Sequence, residues 1–173
     1  MTNRRLVPFR WPALGFAAYL VVQAVSAAAL FVLKLGGGAA GVRAFYLGSP
    51  ERFTHAKSLA GILEVAVPHL AAVPLVLFAA IHVVGFARPH RRRAFSALVA
   101  LSFASALAGI LSGFGVRWLS PGLAWLKVAS FAGLEVALLS WAALLVALFV
   151  PGPHVRPVHH GAGAAAPVQE VVR

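Results

Sequence analysis

The chain has 173 residues, 61% hydrophobic and 11% charged, whereas a soluble domain is about 45–50% apolar and about 25% charged; a water-soluble globule is excluded and lipid is the expected solvent. Its 15 Lys and Arg outnumber 4 acidic residues, all Glu, for a net charge of +11. These basic residues lie between apolar runs, where membrane topology explains them and a nucleic-acid surface does not, and the absence of Cys excludes disulfides, thiolate metal sites and thiol nucleophiles.

The first apolar run covers 13–35 and follows Arg4, Arg5 and Arg10. It exceeds the ~7–15 residues of a signal-peptide core, so it is expected to stay as an uncleaved span. Tyr19, Gln23 and Ser26 form a polar edge along it at helical spacing, expected to face protein rather than lipid. The segment 36–57 opens with Gly36-Gly37-Gly38, which reads as a linker, and is long enough to fold back onto the bundle. Phe45, Tyr46 and Phe53 suit a membrane–water interface.

The second run covers 58–87 and the third 94–114, joined by a tight turn carrying Arg88, Arg91, Arg92 and Arg93. The third contains Ser105-x-x-x-Gly109-x-x-x-Gly113, one helix face of small residues that lets another backbone approach, with Ala104, Ala108 and Ser112 beside it. The fourth covers 121–150. Each run reaches the ~20 residues needed to cross about 30 Å of hydrocarbon. The expected architecture is all-α: one four-span bundle over 1–150, followed by a Pro-, Gly- and Ala-rich tail, 151–173, expected to be disordered.

Nine basic residues flank one side of these spans (Arg4, Arg5, Arg10, Arg88, Arg91, Arg92, Arg93, Arg156, Arg173) and five the other (Lys34, Arg43, Arg52, Lys57, Arg117). The positive-inside rule then puts both termini in the cytoplasm. A multi-pass protein of the bacterial cytoplasmic membrane is expected.

Chemistry is sought among ionisable residues inside the spans, because a charge near the bilayer centre costs at least ~2.5–3.5 kcal/mol and function is the usual reason to keep it. They are Glu64, His69 and His82 in the second span, and Lys127 and Glu135 in the fourth. Glu64 and Lys127 each lie six residues into their spans, hence ~9 Å deep, and are expected to pair. Pro68 deprives the Glu64 carbonyl of its helical donor beside His69, and Pro74 repeats the disturbance. Glu135 and His69 differ in expected depth by ~4.5 Å, close enough for the carboxylate to orient the ring. The tail histidines His154, His159 and His160 are weak evidence for metal binding. No phosphate-cradling Gly-rich loop with Lys, no His-Glu-x-x-His and no Asp occurs.

His69 and His82 are 13 residues apart, ~20 Å along a helix. This pair resembles that of diheme b-type cytochromes, in which two histidines on one span hold hemes near opposite membrane faces, and the stretch from Lys57 through Glu64 and Pro68 to His69 resembles small four-span bacterial membrane proteins, whose His-Pro-His element has Val67 at its first position here. The resemblance implies heme b, or a quinone, bound at His69 and His82, with heme iron as the metal. The chain departs from the pattern: the first, third and fourth spans hold no histidine, and Met1 is the sole methionine. The second axial ligand must then come from a loop (His55, His90), from a second copy or from another membrane subunit. The leading expectation is an electron-transfer subunit of a redox complex rather than a stand-alone enzyme. The alternatives are a structural or assembly subunit, and a proton or small-ion path through Glu64, His69 and Glu135.

Overall fold

Backbone N–H and C=O groups find no partners in hydrocarbon, so each apolar run must bond within itself, and it does so as an α-helix. A computed structural model describes residues 8–86 and 92–150. Residues 87–91 of the expected Arg-rich turn and the tail from 151 lie outside the described residues, while Arg92 and Arg93, expected in that turn, already belong to the helix that follows it. The helices are α1 (Arg10–Leu35), α2 (Ala39–Leu47), α3 (Leu59–Phe86), α4 (Arg92–Trp118) and α5 (Ala124–Phe149), with 3₁₀ turns at Pro50–Arg52 and Pro121–Leu123. Four of them, all but α2, are long and apolar enough to cross a membrane. At 26 to 28 residues they run about 40 Å, which exceeds the hydrocarbon core and lets their ends reach the headgroups. The chain is an all-α membrane protein in contact with the lipid bilayer.

α5 is the central helix. It packs most extensively along α4 and α1, while α3 lies mainly against α4. Two apolar clusters hold the bundle. One joins Leu20 of α1, Leu77, Ala80 and Val84 of α3, and Trp141 and Leu145 of α5. The other joins Phe31 of α1, Val42 of α2, Ile62 of α3, Val116 of α4 and Ala124 of α5. Trp141 is fully buried and makes the most demanding contact. Its indole Nε1 donates to Ser102 Oγ at 3.0 Å, Ser102 Oγ donates to the Leu98 carbonyl at 2.6 Å, and Phe95 meets the ring edge-on at 5.6 Å. This short chain of hydrogen bonds satisfies the Trp141 indole and the Ser102 hydroxyl, which the crossing of α4 and α5 removes from water.

The third helix runs past the expected end at Phe114 to Trp118. Arg117 does not stop it, because its Nε donates to the Lys57 carbonyl at 3.0 Å and so sits at the helix end beside the loop.

The segment after α1 departs further from expectation. Gly36 and Gly37 adopt positive φ of 71° and 75°, and the Gly36 amide caps α1 by donating to Val32. These glycines close a helix rather than form a slack linker. The chain turns at once into α2, whose Ala39, Val42 and Tyr46 are buried at helical spacing. Nine residues with three small or aromatic anchors give too short a periodic signal to stand out in an apolar background. Tyr46 was expected at the interface and is instead tucked inward, where a Cβ on Gly113 would come within 2.8 Å of its hydroxyl. Burial pushes the Tyr46 phenol above its ordinary value, so it is a neutral hydroxyl at any physiological pH. Phe53, by contrast, is exposed.

The small-residue face of α4 is used within the chain. Gly109 faces Ser130 of α5, Ser105 lies against Gly133 of α5, and Gly113 receives Tyr46 of α2. Close approach of α4 to α5 explains the pattern without a second copy.

Candidate functional site

α3 carries three of the five candidates, and its packing decides how they are presented. Ile62 and Ala66 are buried at one end, and Leu77, Ala80 and Val84 at the other. Every residue from 67 to 72 is exposed. The helix is therefore anchored at its two ends and stands clear of its neighbours in the middle, where Pro68 and Pro74 interrupt the backbone ladder.

His69 lies in that clear stretch and is exposed. Seven residues after Ile62, it continues the same helix face, yet no side chain covers it there. Its Nδ1 donates to the Val65 carbonyl at 2.7 Å. A carbonyl can only accept, so Nδ1 carries a proton in this bond, while Nε2 makes no hydrogen bond among the described residues. His82 is also exposed and repeats the arrangement. Its Nδ1 donates to the Phe78 carbonyl at 2.9 Å, and its ring lies 3.8 Å from that of Phe78. Backbone anchoring through Nδ1 makes Nε2 the nitrogen through which a neutral ring would ligate a metal. Thirteen residues of helix turn the two rings roughly 140° apart and ~20 Å along the axis, so each addresses a different ligand.

Glu64 is exposed on α3, five residues before His69 and so on another side of the helix. The expected pair with Lys127 is not formed. Lys127 Nζ donates instead to the Gly109 carbonyl of α4, at 2.5 Å. That carbonyl also accepts from Ser112 Oγ at 3.0 Å, while Ser130 Oγ donates to the Lys127 carbonyl at 3.1 Å. The physical reason is reach. Lys127 lies among α5 residues that face α4, and Gly109 has no side chain to block its own carbonyl. A charged hydrogen bond of this kind contributes about 1.5–3 kcal/mol, which offsets much of the cost of holding an ammonium at that depth.

Glu135 is half-buried on α5. No hydrogen bond links it to His69, which has Val65 as its Nδ1 partner. The five candidates thus fall into an outward-facing set on α3 (Glu64, His69, His82) and an inward Lys127 held by α4, with Glu135 apart from both. Among the described residues no group of three or more His, Cys, Asp or Glu converges as a metal site. Reading the sequence missed Tyr46, the Ser102–Trp141 pair and Ser130. Serines at helical spacing on an apolar helix were the available signal, but nothing in one sequence tells which helix they meet.

The three polar residues of α1 were expected to face protein. In the single chain Tyr19, Gln23 and Ser26 are all exposed, on the opposite side from buried Ala13, Ala17, Leu20 and Ala24. They face lipid or a partner outside the chain.

Comparison with known proteins returns one match. A family model described as a transmembrane helical domain, Aq_1264_TM, matches residues 36–154, the part that holds α2 to α5. No curated protein and no solved structure matches the chain.

Proposed function

We propose that this chain, which belongs to the Aq_1264_TM family of transmembrane helical domains, works inside the membrane as an electron-transfer subunit that presents His69 and His82 to heme b at the outer face of α3. The observation that carries this reading is the shared state of the two imidazoles: both exposed, both anchored through Nδ1 to a backbone carbonyl, both with an Nε2 that makes no hydrogen bond among the described residues. Each would supply one axial ligand, and a second copy or another membrane subunit the other. The middle of α3, exposed from 67 to 72, leaves His69 accessible from outside the bundle. Heme supplies reversible one-electron chemistry; the chain orients the imidazoles and holds the cofactor in a low-dielectric layer. A quinone bound at the same face, its reduced quinol hydroxyl donating to Nε2, is the corresponding reading for an organic carrier. Heme content decides between them: protein purified from its native membrane with its partners should carry stoichiometric b-type heme, and heme-free protein that still retains its partners would remove the heme reading.

A second reading, a structural subunit that assembles a membrane complex, is favoured by the polar edge of α1. Gln23 lies at mid-helix and is exposed, and an amide facing hydrocarbon is stabilised by a partner helix. Under either reading we place the protein in the bacterial cytoplasmic membrane with both termini inside, on the nine-to-five distribution of basic residues. A reporter enzyme fused after Arg173 should be active on the cytoplasmic side, and activity only on the far side would reverse the orientation.

A further inference from the structure

The loop that carries α2 builds a basic cavity at one end of the bundle. The cavity holds about 180 Å³ and is lined by Lys34, Ala44, Phe45, Thr54, His55 and Lys57. Lys34 is in the last turn of α1, and Lys57 lies two residues before α3 begins. Two ammonium groups and an imidazole therefore converge on one space, and none of its lining residues is a carboxylate.

The backbone around it is braced rather than loose. Ser49 and Thr54 exchange hydrogen bonds at 3.1 Å in each direction, and the Lys57 amide donates to the Tyr46 carbonyl at 3.0 Å. Gly48, at φ 86°, lets the strand-like return pass so close that a Cβ there would meet Thr54 O at 2.7 Å. Tyr46 is itself buried against α4, so the cavity is tied to the bundle. Lys57 Nζ lies 4.7 Å over the Phe45 ring, which holds the ammonium at the cavity edge.

Its level relative to the membrane follows from the helix ends. Both lysines stand where spans begin or end, and exposed Trp118 and Trp125 mark the same end of the bundle. Tryptophans in that position belong to the headgroup layer. Positive charge gathered at headgroup level, beside an aromatic side chain and open lipid-facing helices, suits an anion whose tail is apolar.

We infer that this cavity binds the phosphate of an anionic phospholipid headgroup, with Lys34 and Lys57 pairing the phosphate, His55 and Thr54 within the same cavity, and the acyl chains running down the exposed faces of α1 and α3. The site is separate from His69 and His82, since neither lines it.

The test is native mass spectrometry of the full chain in detergent, titrated with phosphatidylglycerol and, in parallel, phosphatidylcholine. The anionic lipid should be retained preferentially. Lys34→Gln and Lys57→Gln should each weaken its retention about fivefold, and the double variant about 30-fold, as expected for roughly one surface-level charge each. Lys34→Arg with Lys57→Arg should restore most of it, which separates a lost charge from a damaged fold. Retention unchanged in the double Gln variant, or equal retention of both lipids, overturns the inference. Displacement of the lipid by millimolar inorganic phosphate would show a site for free phosphate and overturn the lipid assignment.

Discussion

Replacing Trp141 by Ala should lower the thermal unfolding midpoint in detergent by roughly 10 °C, the largest effect expected from any single truncation in the bundle. The side chain is fully buried and fills the crossing of α4 and α5 between Phe95 and Ser102. Removing a buried Trp from a soluble core costs about 3–5 kcal/mol. Between membrane helices the transfer part of that cost shrinks, because lipid is as apolar as the cavity, but lost packing contacts and the void remain. A loss near 3 kcal/mol, at about 2–4 °C per kcal/mol for a chain of this size, gives the stated shift. Trp141→Phe separates the two contributions. It keeps most of the volume, removes only the donor to Ser102, and should cost about 1 kcal/mol. If Trp141→Ala melts within a few degrees of the wild-type protein, the packing of α5 described above is wrong.

Gly41→Ala should destabilise the corner between α1 and α2 although alanine is the better helix former. Two effects oppose each other. Alanine in place of glycine inside a helix stabilises by about 1 kcal/mol. Against that, a Cβ at position 41 would overlap the Leu35 carbonyl oxygen and crowd the Leu35 carbonyl carbon and Gly36. These are backbone atoms at the end of α1, so no side chain can swing aside, and overpacking of this kind costs typically about 1–3 kcal/mol or more. The clash should win, shifting α2 and loosening the seat of Tyr46 against Gly113. Gly38→Ala is the control, since a Cβ there meets nothing within 4 Å. Protease cleavage within 36–57 should rise for Gly41→Ala and stay unchanged for Gly38→Ala; equal protection of both variants would contradict the corner geometry.

The spans were legible because the bilayer imposes one requirement, a long apolar helix, and the sequence states it four times. What escaped was everything that depends on which helix meets which. α2 carries only Ala39, Val42 and Tyr46 as its buried face, a pattern too short to distinguish a helix from an apolar loop. The Ser105, Gly109 and Gly113 stripe was readable as a packing surface, but not that α5 and α2 would fill it. The expectation of equal depth for Glu64 and Lys127 concerned only position along the axis. It carried no information on azimuth, and azimuth decides that Lys127 turns to Gly109 while Glu64 points out of the bundle. For His69 the neighbouring proline was readable, but not the Val65 carbonyl that orients its ring or the exposed middle of α3, since both depend on how the helices pack.

The central claim is that α3 offers its two imidazoles as separate ligands to heme outside the bundle. Reduced-minus-oxidised visible spectra of the membrane-purified wild-type protein, His69→Ala and His82→Ala test it most directly. Both side chains are exposed, so both variants should fold and assemble. The account predicts a b-type alpha band in the wild-type protein, part of which disappears in each single variant and all of which disappears in the double variant. Variants whose spectra match the wild type, or a wild-type spectrum without any heme band, would contradict it.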